Sequence, residues 1–400
     1  LPAFTLKKDA AMTLNTLDLV LFLAASQAAF LGILILHKYP GLPANRILGI
    51  MMLLYAVIVG HNLAVELGYF SRFPHLLLVP LGFTLLVAPL HYFYARMLTH
   101  PEARFRRRDA LHAIPALLYW LAILPDFAES TQELNARLSI AAETMSPRFL
   151  IFNLVLVLQA MVYLGLTMAL IRRFHQRLRL MFASLERLKL TWLQQITFLL
   201  ISAWMIFALE EFLLMLGINL TSFDLSSLLI GVYIYLMGYM ALLKSEIFSQ
   251  PALTEPMHLL ESMDAEEALA KSNRYEKSGL SPERAQDLTR ILLAVMDEKE
   301  PYTNNELTLA DLAEVVQITP HNLSEILNTH LQKNFYDFIN QYRIEKAKRD
   351  LADPAKRHLK ILALAYDAGF NSKTAFNTLF KQSTHMTPSE YRARFLPQAI

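Results

Sequence analysis

Cysteine is missing from the whole 400-residue chain. That excludes disulfide frameworks, Cys-ligated metal centres and thiol catalysis. HExxH, GxSxG, GxxxxGK[ST] and GxGxxG are missing too, which removes the common zinc-hydrolase, serine-hydrolase and phosphate-cradling motifs. No enzyme activity, cofactor or metal is therefore expected. Charge is scarce as far as Lys244, confined to short groups between apolar runs, and becomes dense and mixed in sign afterwards. The formal net charge of +2 averages two unlike halves and says little about partners. Position 1 is Leu rather than Met, which leaves open an alternative start codon, an upstream boundary or a start at Met12. The stretch from Thr16 lacks a basic flank and a small-residue cleavage site, and is expected to be a retained helix.

What the chain does have is apolar length. Hydrophobic residues make up 54% of it, and seven runs approach the roughly 20 apolar residues that a bilayer-spanning helix needs. They lie near 16–37, 47–67, 76–98, 110–127, 149–171, 193–217 and 226–244, the fourth being the shortest and carrying Pro115 and Pro125. Lys and Arg accumulate in cytoplasmic loops. Here they fall after the first run (Lys38, Arg46), the third (Arg104, Arg106, Arg107, Arg108) and the fifth (Arg172 to Lys189), while the alternate loops carry few. This places the N-terminus outside and the C-terminus in the cytoplasm. The basic stretch "RRFHQRLRLMFASLERLKL" also has the composition of a surface helix touching anionic lipid.

Ionisable groups at membrane depth are costly, and a role is their default reading. His61, Asn62 and Glu66 fall in the outer half of the second run, and Glu210 and Glu211 in the outer half of the sixth. Together they are a candidate cavity for a small polar or cationic ligand, although Glu66 could equally reach the headgroups. His91, within "HYFYAR", is expected at the interface, in an aromatic belt ending in a snorkelling Arg96.

The domain plan is a membrane domain over 1–245, a linker over 246–280 with Pro251 and Pro256, and a helical domain over 281–400. As flexible chain, roughly 35 linker residues reach about 30 Å, which keeps the last domain near the membrane surface. That domain opens at Ser281, a good N-cap, with Pro282 in the first turn.

An internal repeat follows. In the first copy, over about 308–330, Leu312 and Ala313 precede a turn at Ile318, then Thr319, Leu323, Ile326 and Leu327. In the second, over about 359–382, Leu364 and Ala365 precede a turn at Phe370, then Ser372, Phe376, Leu379 and Phe380. Each copy describes two short helices meeting across a tight turn, with Ala where the backbones approach: a helix-turn-helix unit. With the apolar residues facing inward, the outward stripe of the first second helix holds His321, Asn322, Ser324, Glu325 and Asn328. That of the other holds Lys373, Thr374, Asn377, Thr378 and Lys381. Such side chains read base edges: Asn to adenine, Lys to guanine, Glu to cytosine N4. The copies are joined by one long helix over about 335–352, roughly 26 Å if 17 residues rise 1.5 Å each, against about 34 Å between successive major grooves. Arg343 begins a basic run through Lys360, suited to phosphates or, with Glu345 and Asp350 interleaved, to a solvated face.

From about Leu307 to Phe395 the sequence resembles the AraC/XylS family of bacterial transcription regulators. "ILALAYDAGFNSKTAFNTLFKQSTHMTPSEYR" carries the likeness, through Ala365, Gly369, Phe370, Phe376, Phe380, Lys381, Pro388, Tyr391 and Arg392. The resemblance implies two reading helices in adjacent major grooves, with base-edge contacts from His321, Ser324 and Glu325 and from Lys373, Thr374, Asn377 and Thr378. It also implies a core role for Phe376, Phe380 and Tyr391. The chain departs from the pattern at Gln332 and His385, where the family commonly has Gly, and at Glu325, where a basic residue is frequent. The apolar half is similar, more loosely, to multi-helix sensor regions fused to such domains.

The expected protein is all-α: a seven-helix transmembrane bundle plus a C-terminal, all-helical double helix-turn-helix domain. Its expected partners are double-stranded DNA, the lipid bilayer of a bacterial inner membrane and an unidentified small-molecule or membrane signal. A homodimer, to which the helix "ERAQDLTRILLAVMDEK" could contribute, would serve repeated half-sites. The rival expectation is a membrane receptor or transporter whose cytoplasmic domain binds a protein.

Overall fold

The computed structural model describes residues 16–38, 41–100, 103–144, 147–186, 188–218, 225–243 and 280–396. The expected linker lies outside the described residues apart from Leu280. The described elements are helical, with an isolated bridge between Phe182 and Thr308. The chain divides into two compact units, one comprising 1–172 and 190–251 and the other 173–189 and 252–400. The second unit thus includes a stretch that the sequence reading treated as a loop between spans.

The first unit contains α1 (Thr16–Lys38), α2 (Pro43–Glu66), α3 (Pro74–Leu78), α4 (Leu81–Thr99), α5 (Ile114–Ile123), α6 (Thr131–Thr144), most of α7 (Pro147–Met181), α8 (Thr191–Met215) and α9 (Leu225–Leu243). Six helical stretches among the described residues are long and apolar enough to cross a membrane, and α9 supplies a shorter apolar one. The fourth stretch is α5 lengthened by 3-10 turns at Arg107–Ala113 and Leu124–Ala128. Pro115 sits in the first turn of α5 and Pro125 in the first turn of the second 3-10 segment, so neither removes an interior helical hydrogen bond.

Helix α1 packs on α2 and α9, α2 on α4, α4 on α5, and α8 on α9. The α1–α2 contact is close because glycine faces it from both sides. A Cβ on Gly32 would lie 3.0 Å from the Gly49 carbonyl and 2.7 Å from Leu53 Cγ, and one on Gly49 would lie 2.6 Å from Leu36 Cγ. Small residues bring helix backbones together where apolar side chains gain nothing by leaving lipid. Large apolar residues point outward instead: Ile151, Leu154, Leu158 and Val162 form an exposed stripe on α7, with Leu154 67% exposed.

One interfacial expectation is corrected. His91 is buried at 1% exposure and shares a 3.0 Å hydrogen bond with Thr197 Oγ1 on α8. Its position on α4 faces the helical neighbours, so it is not part of an interfacial belt. Arg96, five residues on, pairs with Asp109 at 3.3 Å.

The second unit contains α10 (Pro282–Glu298), α11 (Leu309–Val316), α12 (Pro320–Glu325) with a π turn at Ile326–His330, α13 (Phe335–Ala352), α14 (Ile361–Asp367), α15 (Lys373–Thr384) and α16 (Pro388–Phe395). Ser281 caps α10, its hydroxyl accepting from the Arg284 N–H. Two apolar cores flank α13. One gathers Leu292, Met296, Leu312, Leu323, Ile326, Phe335 and Ile339, together with Ala183 from the 173–189 stretch. The other gathers Ile344, Ala347, Leu351, Leu364, Phe376 and Phe380. Each of these fully buried large side chains contributes roughly 1.5–3 kcal/mol. The apolar face of α10, a sequence candidate for dimerisation, is covered by the first core through Leu292 and Met296.

Candidate nucleic-acid interface

Helix α11 starts at Thr308, in a capping box: its hydroxyl accepts from the Asp311 N–H while the Asp311 carboxylate accepts from the Thr308 N–H at 2.9 Å. It ends at Gln317, in the left-handed region at φ 62°, and the Ile318 N–H returns to the Ala313 carbonyl at 2.9 Å. Thr319 then caps α12, accepting from Asn322, and Pro320 takes the first turn. The second copy repeats this with other residues. The Phe370 N–H returns to the Ala365 carbonyl at 3.0 Å, and Ser372 caps α15, accepting from Ala375 at 3.3 Å. The matching Ala-to-turn spacing is thus a matching backbone hydrogen bond.

The reading helices differ in what they leave outside. On α15, Phe376 and Phe380 are buried at 1% and 0%, and Lys373, Thr374, Asn377, Thr378 and Lys381 are all exposed. On the first unit's second helix, Leu323, Ile326 and Leu327 are buried, while His321, Ser324 and Glu325 are half-buried and Asn328 is exposed. Asn328 lies in the π turn and donates to Ser324 Oγ at 3.1 Å. The face of α15 borders a shallow concavity of about 440 Å³ lined by Asn377, Thr378, Lys381, Thr387, Pro388 and Ser389. Thr387 and Ser389 were not anticipated there, although the capping box of Thr387 and Glu390 that fixes them is visible as Thr-x-x-Glu.

The two positions where the family commonly has Gly lie in the left-handed region: Gln332 has φ 52° and His385 φ 59°. Gly369, at φ 95°, is required twice over. A Cβ there would lie 2.3 Å from the Tyr302 carbonyl oxygen and 3.0 Å from Arg343 Nε.

Arg343, expected to contact DNA, is corrected by its burial. It is 1% exposed, and its guanidinium donates to the carbonyls of Tyr302 (2.8 Å), Asn304 (2.8 Å) and Ala183 (3.1 Å) and to Ser184 Oγ (3.1 Å). No donor is left facing outward, and burial pulls its pKa down to about 10. Parts of the basic run that follows are answered by acids. Lys346 pairs with Glu300 at 3.0 Å, Lys348 with Glu345 at 2.8 Å, and Lys356 with Asp350. The Lys346 hydrogen bond and the Tyr302 hydroxyl hold the Glu300 carboxyl below its usual range.

The residues expected around a ligand at membrane depth have separate partners. His61 is buried, with Nε2 2.8 Å from the Leu77 carbonyl. Glu210 accepts from the Leu225 and Ser226 N–H groups at 2.9 and 3.3 Å, closing the start of α9. Glu211 accepts from Asn153 of α7 at 2.8 Å. Asn62 is half-buried on α2, and the Glu66 side chain lies outside the described residues. Among the described residues, no cluster of acidic and histidine side chains suits a metal ion.

Residues 312–394 match the family of helix-turn-helix domains. An uncharacterised HTH-type transcriptional regulator of Staphylococcus aureus strain COL is 36% identical over 98 residues, 24% of this chain and 13% of that protein. The uncharacterised HTH-type transcriptional regulator YpdC of Escherichia coli K12 is 34% identical over 89 residues, 22% of this chain and 30% of its own. The chain thus spans less than a third of the length of either relative. No solved structure matches.

Proposed function

We propose that this chain, whose C-terminal part is a helix-turn-helix domain of the AraC type, is a membrane-held, one-component transcription regulator. It binds promoter DNA through α12 and α15 under the control of a signal received by the apolar unit. The observation that carries the reading is the face of α15. Its apolar residues are spent in the core and its cap is intact, while two lysines, an asparagine and two threonines stand exposed within the region that matches the family.

In this reading Lys373, Thr374, Asn377 and Thr378 meet base edges, and Lys381 meets a phosphate. Asn suits adenine and Lys suits guanine, each good pair discriminating by about 1–3 kcal/mol. His321, Ser324, Glu325 and Asn328 form a less cationic first head, whose carboxylate suits a cytosine amino group. Helix α13, 18 residues long, spans about 27 Å and separates the heads by a distance comparable to one turn of duplex. The six apolar helical stretches support membrane insertion, and the distribution of Lys and Arg supports a cytoplasmic DNA-binding domain. Control requires a signal that binds two states of the apolar unit unequally. Pairing of two copies would extend recognition to repeated half-sites.

The deciding experiment is genome-wide DNA crosslinking of the full chain in its membrane, beside a Lys373→Ala/Asn377→Ala variant. Discrete peaks lost in the variant support the reading. A correctly inserted protein without peaks, captured instead with a protein partner through the same domain, would replace it with the receptor reading.

A further inference from the structure

Residues 173–189 belong to the unit that contains the reading heads, and their contacts there are specific. The Ala183 N–H donates to the Leu307 carbonyl at 3.2 Å, directly before the Thr308 cap of α11. The Ala183 carbonyl uses both lone pairs, accepting from Asn340 Nδ2 at 3.0 Å and from Arg343 at 3.1 Å. Ser184 Oγ donates to the Asn305 carbonyl at 2.8 Å and accepts from Arg343. Ala183 is 1% exposed within the first core, and Phe182 bridges to Thr308. One turn earlier, Arg179 pairs with Asp337 at 2.6 Å and stands 5.3 Å from the centre of the Tyr336 ring.

We propose that residues 179–185 are a clasp: a segment of the chain's own fifth long apolar helix and its exit, seated in a groove between the lead-in to α11 and the connecting helix α13, through which that helix controls presentation of α12. The regulatory part rests on the regulator reading above. The groove is made of Leu307, Asn305, Asp337, Asn340 and Arg343, and its occupant is a backbone amide plus a methyl-sized side chain. Neither could be guessed from a basic inter-span loop. Two features make the seat discrete. Withdrawing the clasp strips Arg343 of two of its five acceptors in a buried site, where an unmet charged donor is costly. It also frees the carbonyl immediately before the α11 cap, at the start of the helix that supports α12. The clasp continues directly from α7, which ends at Met181, so displacement of that helix along or about its axis reaches Ala183 within two residues.

The test uses the full chain in native membrane vesicles, with hydrogen exchange and transcription from a crosslinked promoter as readouts. Two variants separate docking from coupling. Ala183→Asp places a carboxylate in the apolar seat. A Gly-Ser-Gly-Ser insertion after Leu178 leaves the clasp sequence 179–185 intact but breaks its continuity with the helix. The clasp predicts protection of the Ala183 amide, which donates to the Leu307 carbonyl, and of the Leu307 and Thr308 amides, in the parent and in the insertion variant. It predicts exchange faster by about tenfold or more in Ala183→Asp, and a severalfold change in transcription in both variants. Exchange of the Ala183 amide in the parent as fast as in an unstructured peptide would overturn the docking. Unchanged transcription in both variants, with the parent protected, would overturn the coupling. If the parent crosslinks to no promoter, the regulator reading fails and the coupling with it, while protection still decides the docking.

Discussion

The Tyr302 carbonyl accepts from Arg343 Nε at 2.8 Å, and the same oxygen leaves no room for a Cβ at Gly369, 2.3 Å away. One backbone atom thus joins the segment before the first helix-turn-helix unit, the connecting helix and the turn of the second unit. Its surroundings are fixed by a buried charge and a left-handed glycine.

Gly369→Ala is accordingly expected to cost about 3 kcal/mol or more, since backbone strain and a clash with a rigid carbonyl add together. Denaturant titration of the purified full chain, followed through hydrogen exchange in 361–384, measures it. A loss below about 1 kcal/mol would show that the turn relaxes freely.

Arg343→Lys should leave the salt dependence of DNA affinity unchanged while destabilising the unit, because a single ammonium cannot reach five spread acceptors. Lys381→Ala should instead lower the slope of log affinity against log salt by about 0.9, as loss of one phosphate contact does. Equilibrium binding at several salt concentrations separates the two, and a reduced slope for Arg343→Lys would restore it as a DNA contact.

Lys373→Ala and Asn377→Ala should each erode discrimination between operator and mismatched sites by about 1–3 kcal/mol, with less effect on affinity for random duplex. Equal losses on both kinds of DNA would make α15 a backbone-binding helix rather than a reader.

His385→Gly and Gln332→Gly are each expected to stabilise by about 0.5–1 kcal/mol, relieving left-handed strain against the greater freedom of glycine when unfolded. Thermal unfolding of the full chain would check them, and destabilisation would mean that these side chains contribute contacts beyond their backbone shape.

The depressed Glu300 pKa carries a sign. A carboxyl whose pKa is lower in the folded state contributes stability above its unfolded value, near 4.5, and loses it as pH falls through the folded value. Acid unfolding of the second unit should therefore shift in Glu300→Gln, whose stability should be flatter with pH below that value. Parallel curves for parent and variant would remove Glu300 from the acid response.

Much of this was readable before folding. Apolar run length located the helices of the first unit, because lipid-facing and partner-facing sides are both apolar and the run alone marks the element. The helix-turn-helix copies were readable because an Ala at the crossing, a turn apolar five residues on and a hydroxyl cap are local devices. Arg343 was misjudged because its neighbours in sequence are charged. Yet it stands in an unbroken i,i+4 register with Phe335, Ile339, Ala347 and Leu351, all of them buried, and that register was the available signal. The partners of His61, Glu210 and Ala183 were not readable at all. Each of these contacts has a main-chain group on one side and spans 15 residues or more (Glu210 to Leu225 being the nearest), and a main-chain donor or acceptor leaves no mark in a sequence.

Helix α7 has 35 residues, about 52 Å of continuous rod, whereas a hydrocarbon core is about 30 Å thick. An inserted α7 would carry about 20 Å of lever past the membrane's apolar layer. A tilt of about 10° pivoting at that boundary swings the lever's end by about 3.5 Å, more than enough to carry a donor out of hydrogen-bonding range of its acceptor. Within the regulator reading proposed above, a swing of that size would be geometrically sufficient to release the bonds that Ala183 and Ser184 make.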